Sequence, residues 1–230
     1  MTTSVASNLE HTKVLIDQAA KKAERQASEI TLIAVSKKQT VDDISEAYSF
    51  GQCDFGESYA QELVNKAHLL SQPRIKWHFI GHLQRNKAKQ VVGLASLIHT
   101  VDRLPLAETI NKLAEDKGIM QDCLVQVKLA EEESKTGCEP HEVKGLLGDL
   151  NRLKNIRIKG LMLIGTWTTD LRTSQKEFIA LRELRNALNK HNAYKEPLEF
   201  LSMGMSGDFE LAIAHGATHI RVGTSIFGSR

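Results

Sequence analysis

Eight short apolar runs recur along this chain, and a segment of helical pattern follows all but the last. TLIAVSK (31–37), CDFG (53–56), IKWHFIG (75–81), LIHTVD (97–102), DCLVQVKL (122–129), RIKGLMLIG (157–165), PLEFLSMG (197–204) and THIRVGTSIFG (218–228) read as strands, the last with its loop. Continuous apolar runs rich in β-branched residues, without strict alternation, are the mark of parallel strands covered on both faces. Between them lie helical segments. One begins near Val41, with Asp42 and Asp43 at its positive end. SYAQELVNKAHLL (58–70) carries Ser58 near its cap, EPHEVKGLLGDLN starts at Pro140, and SGDFELAIAHG is opened by Ser206. Strict β–α alternation predicts a single closed (β/α)8 barrel spanning residues 1–230, of the TIM type. A polar segment from Val5 to Ala27, with Leu9, Val14, Leu15 and Ala19 at helical spacing, adds a helix before the first strand. Little chain follows the eighth strand, so this N-terminal helix is expected to pack where the last barrel helix would lie.

Charge and cysteine content narrow the functions. Thirty basic residues against 28 acidic ones leave a formal net charge of +2, which makes no electrostatic case for nucleic acid or an anionic membrane. The three cysteines, Cys53, Cys123 and Cys138, form no CxxC pair, so neither a disulfide framework nor a zinc site is expected. The N-terminus has no apolar core of a secretory signal, and no apolar run is long enough to span a bilayer. A reducing, cytoplasmic location is expected.

Barrel chemistry collects at the C-terminal ends of the strands. Strand one ends at Ser36-Lys37, strand seven in Gly204-Met205-Ser206-Gly207, and strand eight in Arg221-Val222-Gly223-Thr224. Loops after strands seven and eight often bind phosphate through backbone N–H groups and hydroxyls, and Ser206, Gly223 and Thr224 suit that role. Either loop alone also reads as an ordinary turn. Most strand-end lysines reach to solvent. A desolvated one beside a phosphate site has an amine fit to condense with an aldehyde, so Lys37 is a candidate for carrying pyridoxal 5'-phosphate (PLP). Lys38, by strand alternation, is expected to face the other way. Arg221 facing a pyridine nitrogen would oppose its protonation; the competing reading is an ion pair inside the barrel.

The motifs resemble one family. AVSK (34–37), FGESYAQE (55–62), HFIGHLQRNK (78–87), ESKTG (133–137), GLMLI (160–164), LSMGMSGD (201–208) and IRVGTSIFG (220–228) are similar, in this order, to segments of the pyridoxal phosphate homeostasis proteins. The resemblance implies a barrel like the N-terminal domain of alanine racemase, with PLP held as a Schiff base on Lys37. It implies a cofactor site of Lys37, Met205, Ser206, Arg221, Gly223 and Thr224, with Arg221 near the ring nitrogen. Ser58 stands where the family usually carries asparagine against the ring.

The resemblance also implies a non-catalytic role in vitamin B6 and amino-acid homeostasis, with no catalytic residues. A racemase needs acid–base groups on both faces of the substrate α-carbon. None of Tyr48, Tyr59 and Tyr194 ends an expected strand, and the chain, which runs to Arg230, is expected to carry no second domain that would supply a tyrosine. The alternatives are a racemase-like PLP enzyme acting on a small amino acid, and a module whose PLP occupancy controls a protein partner. PLP-acceptor apoenzymes are candidate partners, and a monomer is expected. His78 and His82 straddle a strand end and share no face, so no metal site is read there. Arg85, Lys87 and Lys89 read as a solvated helix face.

Overall fold

In the computed structural model, which describes residues 4–70, 72–129, 136–166, 168 and 170–228, the eight strands close on themselves. They are β1 (Thr31–Val35), β2 (Asp54–Glu57), β3 (Lys76–Phe79), β4 (Leu97–Val101), β5 (Gln121–Gln126), β6 (Ile156–Met162), β7 (Phe200–Met205) and β8 (His219–Val222). Each pairs in parallel with its sequence neighbours, and β8 pairs with β1 from Thr31–His219 to Ala34–Val222. The helices are α1 (Val5–Lys22), α2 (Val41–Ser49), α3 (Ala60–Leu69), α4 (Ala88–Val91), α5 (Leu104–Asp116), α6 (Val143–Leu150), α7 (Leu171–Lys190), α8 (Phe209–Ala214) and α9 (Thr224–Phe227). Among the described residues, no helix is long and apolar enough to cross a membrane.

Local signals start several helices. Thr40 and Asp43 form a reciprocal capping box at α2, Pro105 sits in the first turn of α5, and the Asp170 side chain caps α7 by accepting from the Arg172 N–H. Other starts differ from the sequence reading. Pro140 lies in a turn before α6, which begins at Val143. Ser58 and Ser206 lie ahead of their helices, whose caps are Tyr59 and Asp208. Both serines therefore belong to loops at the barrel mouth.

The N-terminal helix fills the gap left by the short α9. It packs against α2, α8 and α9, and three bonds tie it down: Ala6 N–H to Glu46 Oε1 (3.2 Å), Asn8 Nδ2 to the Ile226 carbonyl (3.0 Å) and Lys13 Nζ to the Phe50 carbonyl (3.1 Å). Its buried face is Leu9, Thr12, Ile16, Ala19 and Ala20, whereas Val14 is exposed. Of the four residues read as the apolar stripe, Leu9 and Ala19 are buried and Leu15 packs partly buried against the core; Val14 alone falls outside it, because the i, i+3, i+7 row through Leu9, Thr12 and Ile16 meets the barrel.

The apolar residues divide into two groups. The larger lies between strands and helices and includes Phe55, Trp77, Leu106, Leu147, Phe178 and Ile220. A separate small cluster of Leu97, Leu124 and Met162, from β4, β5 and β6, fills one side of the barrel lumen. The other side is polar: His78, His99, Ser202, His219 and Arg221 are all buried. A hydrogen bond between His99 Nδ1 and Ser202 Oγ (2.9 Å) joins β4 to β7, which are not neighbours, so it crosses the lumen.

Candidate functional site

The residues nominated at strand ends come from four adjacent strands, β7, β8, β1 and β2. Register makes this so. Met205 pairs with Arg221, Ala34 with Val222, and Val35 with Gly56. Lys37, Ser58, Ser206, Gly223 and Thr224 therefore lie just beyond the ladder on one contiguous arc of the C-terminal mouth. The two phosphate-type loops touch: the Gly223 N–H donates to Ser206 Oγ at 3.2 Å. Thr224 is exposed and opens α9, and Met205 is half-buried.

Lys37 is half-buried in a turn after β1, not on the strand itself. Lys38 adopts a left-handed conformation (φ 63°), so strand alternation does not govern where it points. Its N–H donates to Glu62 Oε1 (2.8 Å). The turn is braced from below. Ser36 Oγ donates to Glu57 Oε1 (2.7 Å), and Lys66 Nζ donates to the Ser36 carbonyl (2.6 Å) and to Glu57 Oε1 (2.8 Å). Lys66 also pairs with Glu62 at 3.4 Å. Glu57 is wholly buried, and desolvation pushes its carboxyl up to about 7 against the pull of Lys66 and Ser36. Sequence reading missed this brace. Its signal was a glutamate closing the apolar run DFGE, with Glu62 and Lys66 following at helical spacing.

Arg221 is buried and forms no ion pair among the described residues. Its Nη1 donates to Ser202 Oγ (2.7 Å) and its Nη2 to the Leu163 carbonyl (2.8 Å). The ion-pair reading of this arginine does not hold. Burial draws the guanidinium down to about 10, with Asp208 opposing that shift from a distance.

Ser58 is half-buried and packs on Gly81, where a side chain would overlap the Ser58 carbonyl. Thr100 Oγ1 donates to the Gly81 carbonyl (2.7 Å) and holds that approach. Gly81→Ala is expected to displace the Ser58 loop and cost about 1–3 kcal/mol, the range for overpacking a fixed site. Urea unfolding measures it, and an unchanged midpoint would show that the loop yields freely. Tyr59 caps α3 rather than lying within it. It is exposed beside a cleft of about 530 Å³ lined by the β2 and β3 ends (Ser58, Phe79, Gly81 and His82) and by α3 and α4 (Gln61 and Gln90). The Tyr194 hydroxyl accepts the Ile158 N–H (3.1 Å) on the far side of the chain's chemistry. His78 is buried in β3 and His82 is exposed in the next loop, as read. Arg85, Lys87 and Lys89 are exposed. Glu133, Ser134 and Lys135 of the ESKTG motif lie outside the described residues.

Residues 14–230 match the family model for the alanine racemase N-terminal domain. A pyridoxal phosphate homeostasis protein of Aquifex aeolicus is 40% identical over 215 residues, covering 94% of this chain and 93% of the relative. The chain belongs to the pyridoxal phosphate homeostasis protein family. The bovine member is 41% identical over 210 residues, covering 86% of this chain and 77% of its own length. PipY of Synechococcus elongatus, solved with PLP bound, superposes with a TM-score of 0.83 at 36% identity, over 93% of this chain and all of PipY. Alanine racemase of Clostridium difficile has a TM-score of 0.78 at 14% identity, over 97% of this chain and 57% of the racemase, a likeness of fold alone. The barrel of alanine racemase type and the family read from the seven motifs both stand.

Proposed function

We propose that this chain is a single-domain, non-catalytic PLP carrier, residues 1–230, which holds the cofactor as a Schiff base on Lys37 and serves vitamin B6 and amino-acid homeostasis in the cytoplasm. The observation that carries this reading is the arc of the C-terminal mouth. There the half-buried Lys37 follows β1, which pairs with β8, and the adjacent strands β7 and β8 supply two touching phosphate-type loops and a buried guanidinium without a carboxylate partner among the described residues. The family's homeostasis names and the PLP found in PipY support it.

The donor set fits the group. Ser206 Oγ and the N–H groups of Gly223 and Thr224 suit the phosphate, with Met205 beside them. Arg221 presents fixed positive charge, which favours an unprotonated, acceptor ring nitrogen and makes the ring a poor electron sink. Ser58 would line the ring. When bound, PLP supplies an aldehyde that condenses with primary amines. The chain's own residues contribute the amine of Lys37, the brace beneath it and the anion-binding loops. An apoenzyme in need of cofactor, or a protein that senses occupancy, is the partner class, and the carrier acts as a monomer.

The racemase-like reading needs a second acid–base group over the α-carbon. Tyr59, in the loop after β2, is the tyrosine nearest to that requirement, but its cleft is built from the β2 and β3 ends with α3 and α4, and not from β1. Absence of α-proton exchange from alanine in D2O separates the carrier from an enzyme.

The deciding experiment is the absorption spectrum of the PLP-loaded protein before and after borohydride, with mass mapping of the reduced peptide. Modification at Lys37 is expected; no imine absorption at any PLP concentration would remove the reading. Ser206→Ala is expected to weaken PLP retention by about 1.5–3 kcal/mol, the worth of one charge-assisted hydrogen bond. Equilibrium dialysis measures this, and unchanged affinity would move the phosphate elsewhere.

A further inference from the structure

The polar half of the lumen holds a continuous chain of four hydrogen bonds. Asp54 Oδ1 meets His78 Nε2 at 2.9 Å, His78 Nδ1 meets His99 Nε2 at 3.0 Å, His99 Nδ1 meets Ser202 Oγ at 2.9 Å, and Arg221 Nη1 meets Ser202 Oγ at 2.7 Å. Asp54 begins β2, at the N-terminal mouth. There it lines a cavity of about 610 Å³ together with His78 and His219. Arg221 closes the chain at the other mouth. We propose that Asp54, His78, His99 and Ser202 are positioning residues that hold Arg221 as the donor-only end of a polarised relay running the length of the barrel. This deepens the cofactor reading, because Arg221 is the group assigned to the ring nitrogen.

The polarity follows from proton counting. A guanidinium only donates, a carboxylate only accepts, and a neutral imidazole carries one N–H. Asp54 as a carboxylate takes the Nε2 proton of His78, leaving His78 Nδ1 to accept. His99 then donates from Nε2 and accepts at Nδ1. Ser202 donates to His99 and accepts from Arg221. Each of the four bonds receives one proton and none is left over. His99 is held neutral: it is fully buried, and His78, His219 and Arg221 all face it, which keeps its titration well below the ordinary range.

The other groups near the chain do not compete for its protons. His219 Nδ1 bonds with Thr218 Oγ1 (2.9 Å), and burial draws its titration down to about 3. At the N-terminal mouth, Asp122 pairs with Arg157, Glu199 with Lys159, and Arg25 with Glu29, while Lys76 is exposed. Adding a proton at His78 would make both its nitrogens donors. His99 would then have to accept at Nε2 and donate from Nδ1, and Ser202 would receive two donors. A change at one mouth thus reverses the two central bonds, His78–His99 and His99–Ser202, and crowds the hydroxyl that receives Arg221.

Two-bond ¹H–¹⁵N correlation spectra of the histidine rings in the PLP-free full chain test this directly. His78 and His99 are both expected as Nε2–H tautomers. Asp54→Ala is expected to change the ring signals of His99, two links away, whereas Asp54→Asn, which keeps an acceptor oxygen, restores them. Ser202→Ala is a small change, and it is expected to move the His99 Nδ1 resonance to that of an acceptor without a donor. An Nδ1–H tautomer at His99 in the unaltered protein would overturn the relay, as would a His99 signal indifferent to both Asp54→Ala and Ser202→Ala. In the PLP-loaded protein, Asp54→Ala is also expected to shift the pH midpoint of the imine absorption by about one unit. A missing imine band in the unaltered protein would sink the cofactor reading, while the tautomer spectra would still decide the relay.

Discussion

Lys37→Ala is expected to abolish the imine absorption of the PLP-loaded protein and every borohydride-fixed adduct at the barrel mouth. The size of this effect depends on whether a neighbouring lysine can take over. Two lie close in the fold, and the geometry disqualifies both. Lys38 sits in a left-handed turn whose N–H is tied to Glu62, and its side chain is exposed. Lys66 is buried with its Nζ bound to Glu57 and to the Ser36 carbonyl. Lys66 Nζ is thus already engaged in the brace, and Lys38 stands out in solvent rather than in the half-buried position of Lys37. The variant should still bind PLP weakly through those loops, without colour from an imine. Mass mapping after borohydride is the check. A fixed adduct on Lys38 or Lys66 would show that the amine is not specified by position.

Lys66→Met is expected to destabilise the fold by about 3–5 kcal/mol near pH 8, the cost of stranding a buried carboxylate. Against a typical domain stability of about 5–15 kcal/mol, that is a large fraction. The loss should depend on pH, with a definite sign. Burial already raises Glu57 from 4.5 to about 7, and loss of the Lys66 ammonium raises it further. A carboxyl whose folded value lies above its unfolded one favours the fold most at pH below the unfolded value. That contribution disappears as pH rises through the folded value. Urea titrations should therefore find Lys66→Met closer to the unaltered protein at pH 5 than at pH 8. Adding Glu57→Gln should recover much of the loss, because no unpaired charge then remains. A single-variant loss below about 1 kcal/mol, the worth of a surface pair, would show that this pair does not brace the Lys37 turn.

The barrel was legible because its determinants are local. Each apolar run and each helical stripe is a pattern within a few residues of itself, and eight alternations leave few topologies open. The same locality made Lys37, Ser206, Gly223 and Thr224 readable as strand-end residues, since the fold's rule places strand ends at one mouth. It failed where the chain turns. Ser58 and Ser206 look like helix caps by composition, yet the caps are the residues Tyr59 and Asp208, one and two positions later.

What the sequence determined alone is the class of architecture, the family, and the arc of candidate residues. Tertiary structure decided the environment of each one. His99 and Ser202 are 103 residues apart, and their bond exists only because closure brings β4 and β7 across a shared lumen. Arg221 also reads as an ion-pair partner until the barrel shows a hydroxyl and a carbonyl, and no carboxylate among the described residues, at its guanidinium. Glu57, Lys66 and Ser36 are an unremarkable glutamate, lysine and serine until β1, β2 and α3 meet beneath the Lys37 turn. The physical reason is common to all three: strand register and barrel closure set which polar side chains share a dry interior, and neither quantity is written in any local pattern.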